Sequence, residues 1–183
     1  DSDDSQLTAL ITAARQAAEE YLRRSLITQT WKLTLDLTGD AALNGLPAGV
    51  YDLPVSALDA GLPRVFNLPR GPVQSVTSFV TYDTNNDAST FASSNYFVDT
   101  AGDRLVLNQT AVLPTNLRPS AACALTYVAG YGNAAAVPQP IKTALLMHVA
   151  SLYEQRGQCE DAVDLPPGAK QLLRSYRLLG DRG

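Results

Sequence analysis

The chain has 183 residues, enough for one domain with a real hydrophobic core, and its 45% apolar content excludes a disordered chain. Its 14 basic residues against 18 acidic ones give a formal charge of −4. That balance argues against coating nucleic acid, which requires Lys and Arg to displace counterions from phosphates.

No apolar run approaches the ~20 residues of a membrane span. The acidic start, Asp1-Ser2-Asp3-Asp4, is unlike a signal peptide. Synthesis in a reducing cytoplasm, with Cys123 and Cys159 as free thiols, is the expectation.

In chain order, Leu7, Leu10, Ile11, Ala14, Ala17, Ala18, Tyr21 and Leu22 recur at helical spacing and predict a helix over about 5–24. Asp4 or Ser5 is placed to cap its start, and Arg23 and Arg24 suit the negative end of its dipole. The period then changes. Trp31, Leu33, Leu35 and Leu37 alternate with polar residues, the mark of a half-buried strand. From Thr38 to Pro69, Gly, Pro and Asp dominate. The stretch Thr38–Phe66 is expected to project as a loop between subunits or toward a neighbouring ring.

Strand patterning resumes at Val73, with Val76, Ser78, Val80 and Tyr82 opposite Thr77, Phe79 and Thr81. Asp83-Thr84-Asn85-Asn86-Asp87 is a turn by composition. Short strands follow at Thr90–Phe91, Tyr96–Val98 and Leu105–Leu107, then a longer one through Cys123, Leu125 and Tyr127 to Gly130-Tyr131-Gly132. Helical spacing returns over about 140–155, with Ile141, Leu145, His148, Val149 and Leu152 on one face and Pro140 in the first turn. A last helix is expected over about 167–179, with Leu172, Leu173 and Tyr176 inward. The fold class is α+β: one N-terminal and two C-terminal helices around a β-rich insertion over about 28–132, within a single domain.

The residues that chemistry would need are scattered. His148 is the one histidine and sits on an apolar helix face, where a satisfied core or interface histidine is the simpler reading. The separated cysteines and lone histidine fit no usual zinc pattern. No G-x-S-x-G elbow, P-loop or complete G-x-G-x-x-G is present. Asp99 and Asp103 form a formal acid pair but lie in a turn, and Glu160, Asp161 and Asp164 lack EF-hand spacing. Phe79, Phe91, Tyr96 and Phe97 either pack a core or present a binding face; packing is the preferred reading. No catalytic residue, metal or cofactor is assigned.

Four phrases have a collective meaning. They are Ala14 through Tyr21-Leu22 to Leu26-Ile27-Thr28-Gln29-Thr30-Trp31; Leu68-Pro69-Arg70-Gly71-Pro72-Val73-Gln74-Ser75-Val76 with Thr81-Tyr82-Asp83; Tyr127-Val128-Ala129-Gly130-Tyr131-Gly132 followed by Val137-Pro138-Gln139-Pro140-Ile141-Lys142; and Leu152-Tyr153-Glu154-Gln155-Arg156. Their order over about residues 10–178 resembles the head–tail connector (adaptor) proteins of tailed bacteriophages, also found in prophages and gene transfer agents. Residues 38–66 are longer than that family pattern needs.

The resemblance implies a structural subunit of the virion neck, made in the host cytoplasm. It would form a twelve-fold ring beneath the portal, extend the DNA channel without sequence-specific binding, and present a surface to the next neck or tail protein. A stopper or tail-completion protein, or a small β-rich binding module, is the alternative. The last fourteen residues hold Lys170, Arg174, Arg177 and Arg182 against one acid, Asp181. On a continuous helix Lys170, Arg174 and Arg177 would share a face. With Leu173, Tyr176 and Arg182 they are the candidate portal-binding residues.

Overall fold

The structure is a computed structural model that describes residues 2–37, 62–155 and 164–178. Their elements run α1 (Ser2–Leu22), β1 (Gln29–Leu35), β2 (Val65–Asn67), β3 (Val73–Tyr82), β4 (Ala88–Thr90), β5 (Tyr96–Asp99), β6 (Arg104–Leu107), β7 (Cys123–Ala129), α2 (Gln139–Glu154) and α3 (Pro167–Leu173). The fold is α+β, with one N-terminal and two C-terminal helices and antiparallel strand pairs. None of the described helices is long and apolar enough to cross a membrane.

The chain divides into two compact units. The first comprises Asp1–Gln29, Pro69–Pro72 and Ala129–Gly183. Its core joins Ala18, Leu22 and Leu26 to Val137, Ile141 and Ala144, and to Leu165, Ala169 and Leu173. Small residues at Ala18, Ala144 and Ala169 leave room for close helix approach. Pro140 and Pro167 occupy the first turns of α2 and α3, where a missing N–H costs nothing. Leu7 and Ile11, expected inside, are 37% and 57% exposed. The stripe on α1 is longer than the surface that covers it.

The second unit, Thr30–Leu68 and Val73–Val128, holds the sheets. One has the order β1-β7-β3-β4 and the other β2-β6-β5. β1 alternates half-buried and exposed residues, as its sequence does. β7, between two neighbours, is buried at nearly every position, and burial raises the Cys123 thiol to about 12, which leaves it unreactive. The β3–β4 turn forms where the Asp83 carboxylate accepts the N–H groups of Asn85 and Asp87, both at 2.8 Å, and Asn86 takes a φ of 69°.

Phe66, Phe79, Phe91 and Tyr96 form an aromatic cluster, with ring centroids 5.0 to 6.1 Å apart around Phe79. Packing therefore accounts for three of the four candidate aromatics; Phe97 is 62% exposed. The stretch expected to be a loop up to Phe66 contains β2, whose Phe66 is buried and whose residues pair with β6. Three residues are too few to show a period, so only the pairing reveals this strand. Residues 38–61 of that insertion lie outside the described residues.

Candidate functional site

The candidate residues lie in the helical unit, beside the C-terminal end of α1. That end is a Schellman-type close. Arg23 takes the left-handed conformation (φ 55°), its N–H reaches the Glu20 carbonyl at 3.3 Å, and the Arg24 N–H reaches the Glu19 carbonyl at 3.2 Å. Glycine usually fills this position; here arginine does.

Neighbouring segments supply further donors. Arg70 Nη1 donates to the Glu19 carbonyl at 3.3 Å, and its Nη2 pairs with Glu20 at 2.7 Å, which holds the Glu20 carboxyl below its ordinary range. The Ser25 N–H donates to the Arg70 carbonyl at 3.0 Å. Glu19 is buried but satisfied, accepting the Leu26 N–H at 2.9 Å and Gln29 Nε2 at 2.7 Å. The phrase around Arg70 and the C-terminal part of α1 thus form one junction.

Gly130-Tyr131-Gly132 completes it. The Gly130 N–H donates to the Pro72 carbonyl at 2.8 Å and the Thr28 N–H to the Gly132 carbonyl at 3.0 Å. Gly130 has a φ of 126°, and a Cβ there would lie 2.2 Å from the Ile27 carbonyl oxygen. Glycine is obligatory at this close approach.

The chain after α3 folds against the same helix end. Arg24 Nε donates to the Tyr176 carbonyl at 2.7 Å, the Arg177 guanidinium lies 4.9 Å from the Tyr21 ring centroid, and the Leu178 N–H caps the Leu22 carbonyl at 3.0 Å.

This corrects the expected helix over 167–179. α3 ends at Leu173, Arg174–Tyr176 form a 3-10 turn, and Arg177 is extended. Lys170, Arg174 and Arg177 therefore do not share one helix face. The contacts to α1 compete with helix continuation, and the last carbonyls of α1 take the donors. Leu173 is fully buried in the core and offers no surface. Lys170 pairs with Asp164, holding that carboxyl below its usual range. Arg174 is exposed. Arg182 lies outside the described residues, as do residue 179, Cys159, Glu160 and Asp161.

The other candidates also resolve into structure. Asp99 pairs with Arg104 at 2.8 Å and accepts the Gly102 N–H at 3.0 Å. Asp103 accepts the Val73 N–H at 2.7 Å. Both aspartates therefore brace the second unit. Among the described residues no group of His, Cys, Asp and Glu is arranged to hold a metal. His148 is 1% exposed, and burial lowers its pKa against an opposing pull from Asp164. Its Nδ1 has no hydrogen-bond partner among the described residues, so the expectation of a satisfied core histidine holds for its place and not for that nitrogen.

No known protein-family profile matches the sequence. No curated protein matches it either. Solved structures do. A chain from the neck of an empty gene transfer agent particle, computed with C6 symmetry, has a TM-score of 0.68 at 22% identity, over 98% of this chain and 83% of that one. A chain from the neck of the native particle, computed with C12 symmetry, has a TM-score of 0.66 at 22% identity, over 97% and 86%. A chain from the virion of the native particle has a TM-score of 0.68 at 21% identity, over 98% and 80%. At this identity the likeness establishes a shared fold along nearly the whole chain.

Proposed function

We propose that this protein is a structural subunit of the neck of a tailed-phage-like particle, an adaptor that works by assembly and not by catalysis. The observation that carries the reading is the near-complete fold match to neck chains of a gene transfer agent particle. The order of the four sequence phrases supports it as well, and three of them build the junction at the end of α1. In this reading twelve copies form a ring beneath the portal, extend the DNA channel, and receive the next neck or tail-completion protein. DNA slides through without sequence-specific contact, and no cofactor takes part. The acidic chain suits that passage.

Portal docking is assigned to the segment from Lys170 onward. Its exposed cation is Arg174, beside the half-buried Lys170 that pairs with Asp164, with Arg182 outside the described residues; Tyr176 and Arg177 steady the segment on α1, and Leu173 anchors it from within. Co-sedimentation with cognate portal rings tests this. Changing Lys170 and Arg174 to Glu should leave the fold intact by circular dichroism, reduce binding about tenfold or more, and remove most of its salt dependence. Full binding by that variant would move the docking surface elsewhere on the chain.

A further inference from the structure

Within the helical unit, two apolar helix faces are left uncovered. The first lies on α1. Leu7 and Ile11 are at the same angular position as Ala14, Ala18 and Leu22, which are fully buried, yet they are 37% and 57% exposed. From residue 4 to 13 every residue is exposed except the half-buried Leu10. A helical stretch so poor in burial is marginal by itself, because tertiary packing supplies most helical stability.

The second lies on α2. From Thr143 to Tyr153 this helix has no Asp, Glu, Lys or Arg. Its inner side buries Ile141, Ala144 and His148. Leu146 points roughly 140–160° away from those three around the helix, and is 67% exposed. Thr143 and Ala150 flank it on the exposed side. A helix that is apolar all round is normally covered all round.

We infer that these two faces cover each other between copies: the Leu7–Ile11 face of one subunit seats on the Leu146 face of the next. This rests on the ring reading above and names its subunit contact. A second copy is the occupant that the chemistry favours. Asp4 and Arg15 edge the α1 face, one turn before Leu7 and one turn after Ile11, and Lys142 edges the α2 face one turn before Leu146, so Asp4 and Lys142 offer opposite charges across the contact. The faces are also different from one another. A closed ring needs such a head-to-tail contact, since a self-complementary patch stops at a dimer. A DNA partner would call for a basic surface, and the α1 face carries an acid beside its one arginine.

The test uses Ile11→Glu and Leu146→Glu, both at exposed positions, so both should fold as the wild type does by circular dichroism. Assembly is followed by sedimentation velocity, alone and with portal rings as a template. The wild type should form large rings; each variant should stay monomeric. An equimolar mixture should give a mixed dimer and nothing larger, because Ile11→Glu keeps an intact α2 face and Leu146→Glu an intact α1 face. Wild-type rings that persist in either variant, or a mixture that stays monomeric, would overturn this pairing and leave the ring reading standing. A wild type that never assembles, even with portal, would overturn both.

Discussion

The two halves of α1 have the same apolar spacing and different surroundings. From Ala14 to Leu22 the stripe is buried, and the helix end is closed by donors from Arg23, Arg24, Arg70 and Leu178, with the Arg177 guanidinium over the Tyr21 ring. From residue 4 to 13 the stripe meets none of this, and the Thr8 and Thr12 hydroxyls donate to carbonyls four residues back in their own helix. Sequence periodicity states that a face is apolar. It does not state what covers it.

The contrast can be broken most directly by truncating both halves. Leu22→Ala should cost about 2–5 kcal/mol in urea unfolding, the range for a buried leucine. Leu173→Ala, in the same core, belongs to the same range. Ile11→Ala in the isolated subunit should stay within about 0.5 kcal/mol of wild type. Equal losses at Leu22 and Ile11 would mean that the first half of α1 is covered in the monomer.

A second measurement sharpens the contrast on α2, between buried His148 and exposed Leu146. Burial depresses the folded-state pKa of His148 below its ordinary 6.5. Below 6.5 the unfolded chain therefore binds a proton that the folded chain resists, and stability falls as pH drops from there toward the folded pKa. Asp164, kept ionised by Lys170, limits the depression without reversing it. His148→Gln should lose less stability than wild type between pH 7.5 and 5.5. Parallel pH profiles for the two proteins would show that burial does not oppose protonation at this site.

The smallest effect concerns the closing turn of α1. Arg23 pays the steric cost of a left-handed residue that glycine avoids. Arg23→Gly should leave the midpoint of thermal unfolding equal to wild type or raise stability by up to about 1 kcal/mol. A clear loss would show that the exposed Arg23 side chain contributes more than its backbone costs.

Most elements were legible because their signals are local. The alternation through Trp31, Leu33 and Leu35, the spacing through Ile141 and His148, and the Asp83–Asp87 turn each depend on a few adjacent residues. β2 was not legible, since Val65–Asn67 is defined by its pairing with Arg104–Val106. The candidate site was read in part. Arg174 is an exposed cation in the structure, but Lys170 is half-buried and paired with Asp164, Leu173 is core and Arg177 lies over Tyr21, a residue far away in sequence. The phrase holding Arg70 was read as a junction, but its partners Glu19 and Glu20 were missed. The one available signal was that Leu68-Pro69-Arg70-Gly71-Pro72 is unfit for a central strand, which located a special segment without naming its partner.

The sequence by itself determined the α+β class, the order of the main elements and the apolar face of each helix, because propensity and periodicity act over one or two turns of chain. Only the tertiary structure decided that α3 stops at Leu173, that the next residues close the end of α1, and that Leu7, Ile11 and Leu146 remain uncovered. Those outcomes depend on which donors reach which carbonyls and on how far one helix extends past the surface of another. Both are set by segments brought together from opposite ends of the chain.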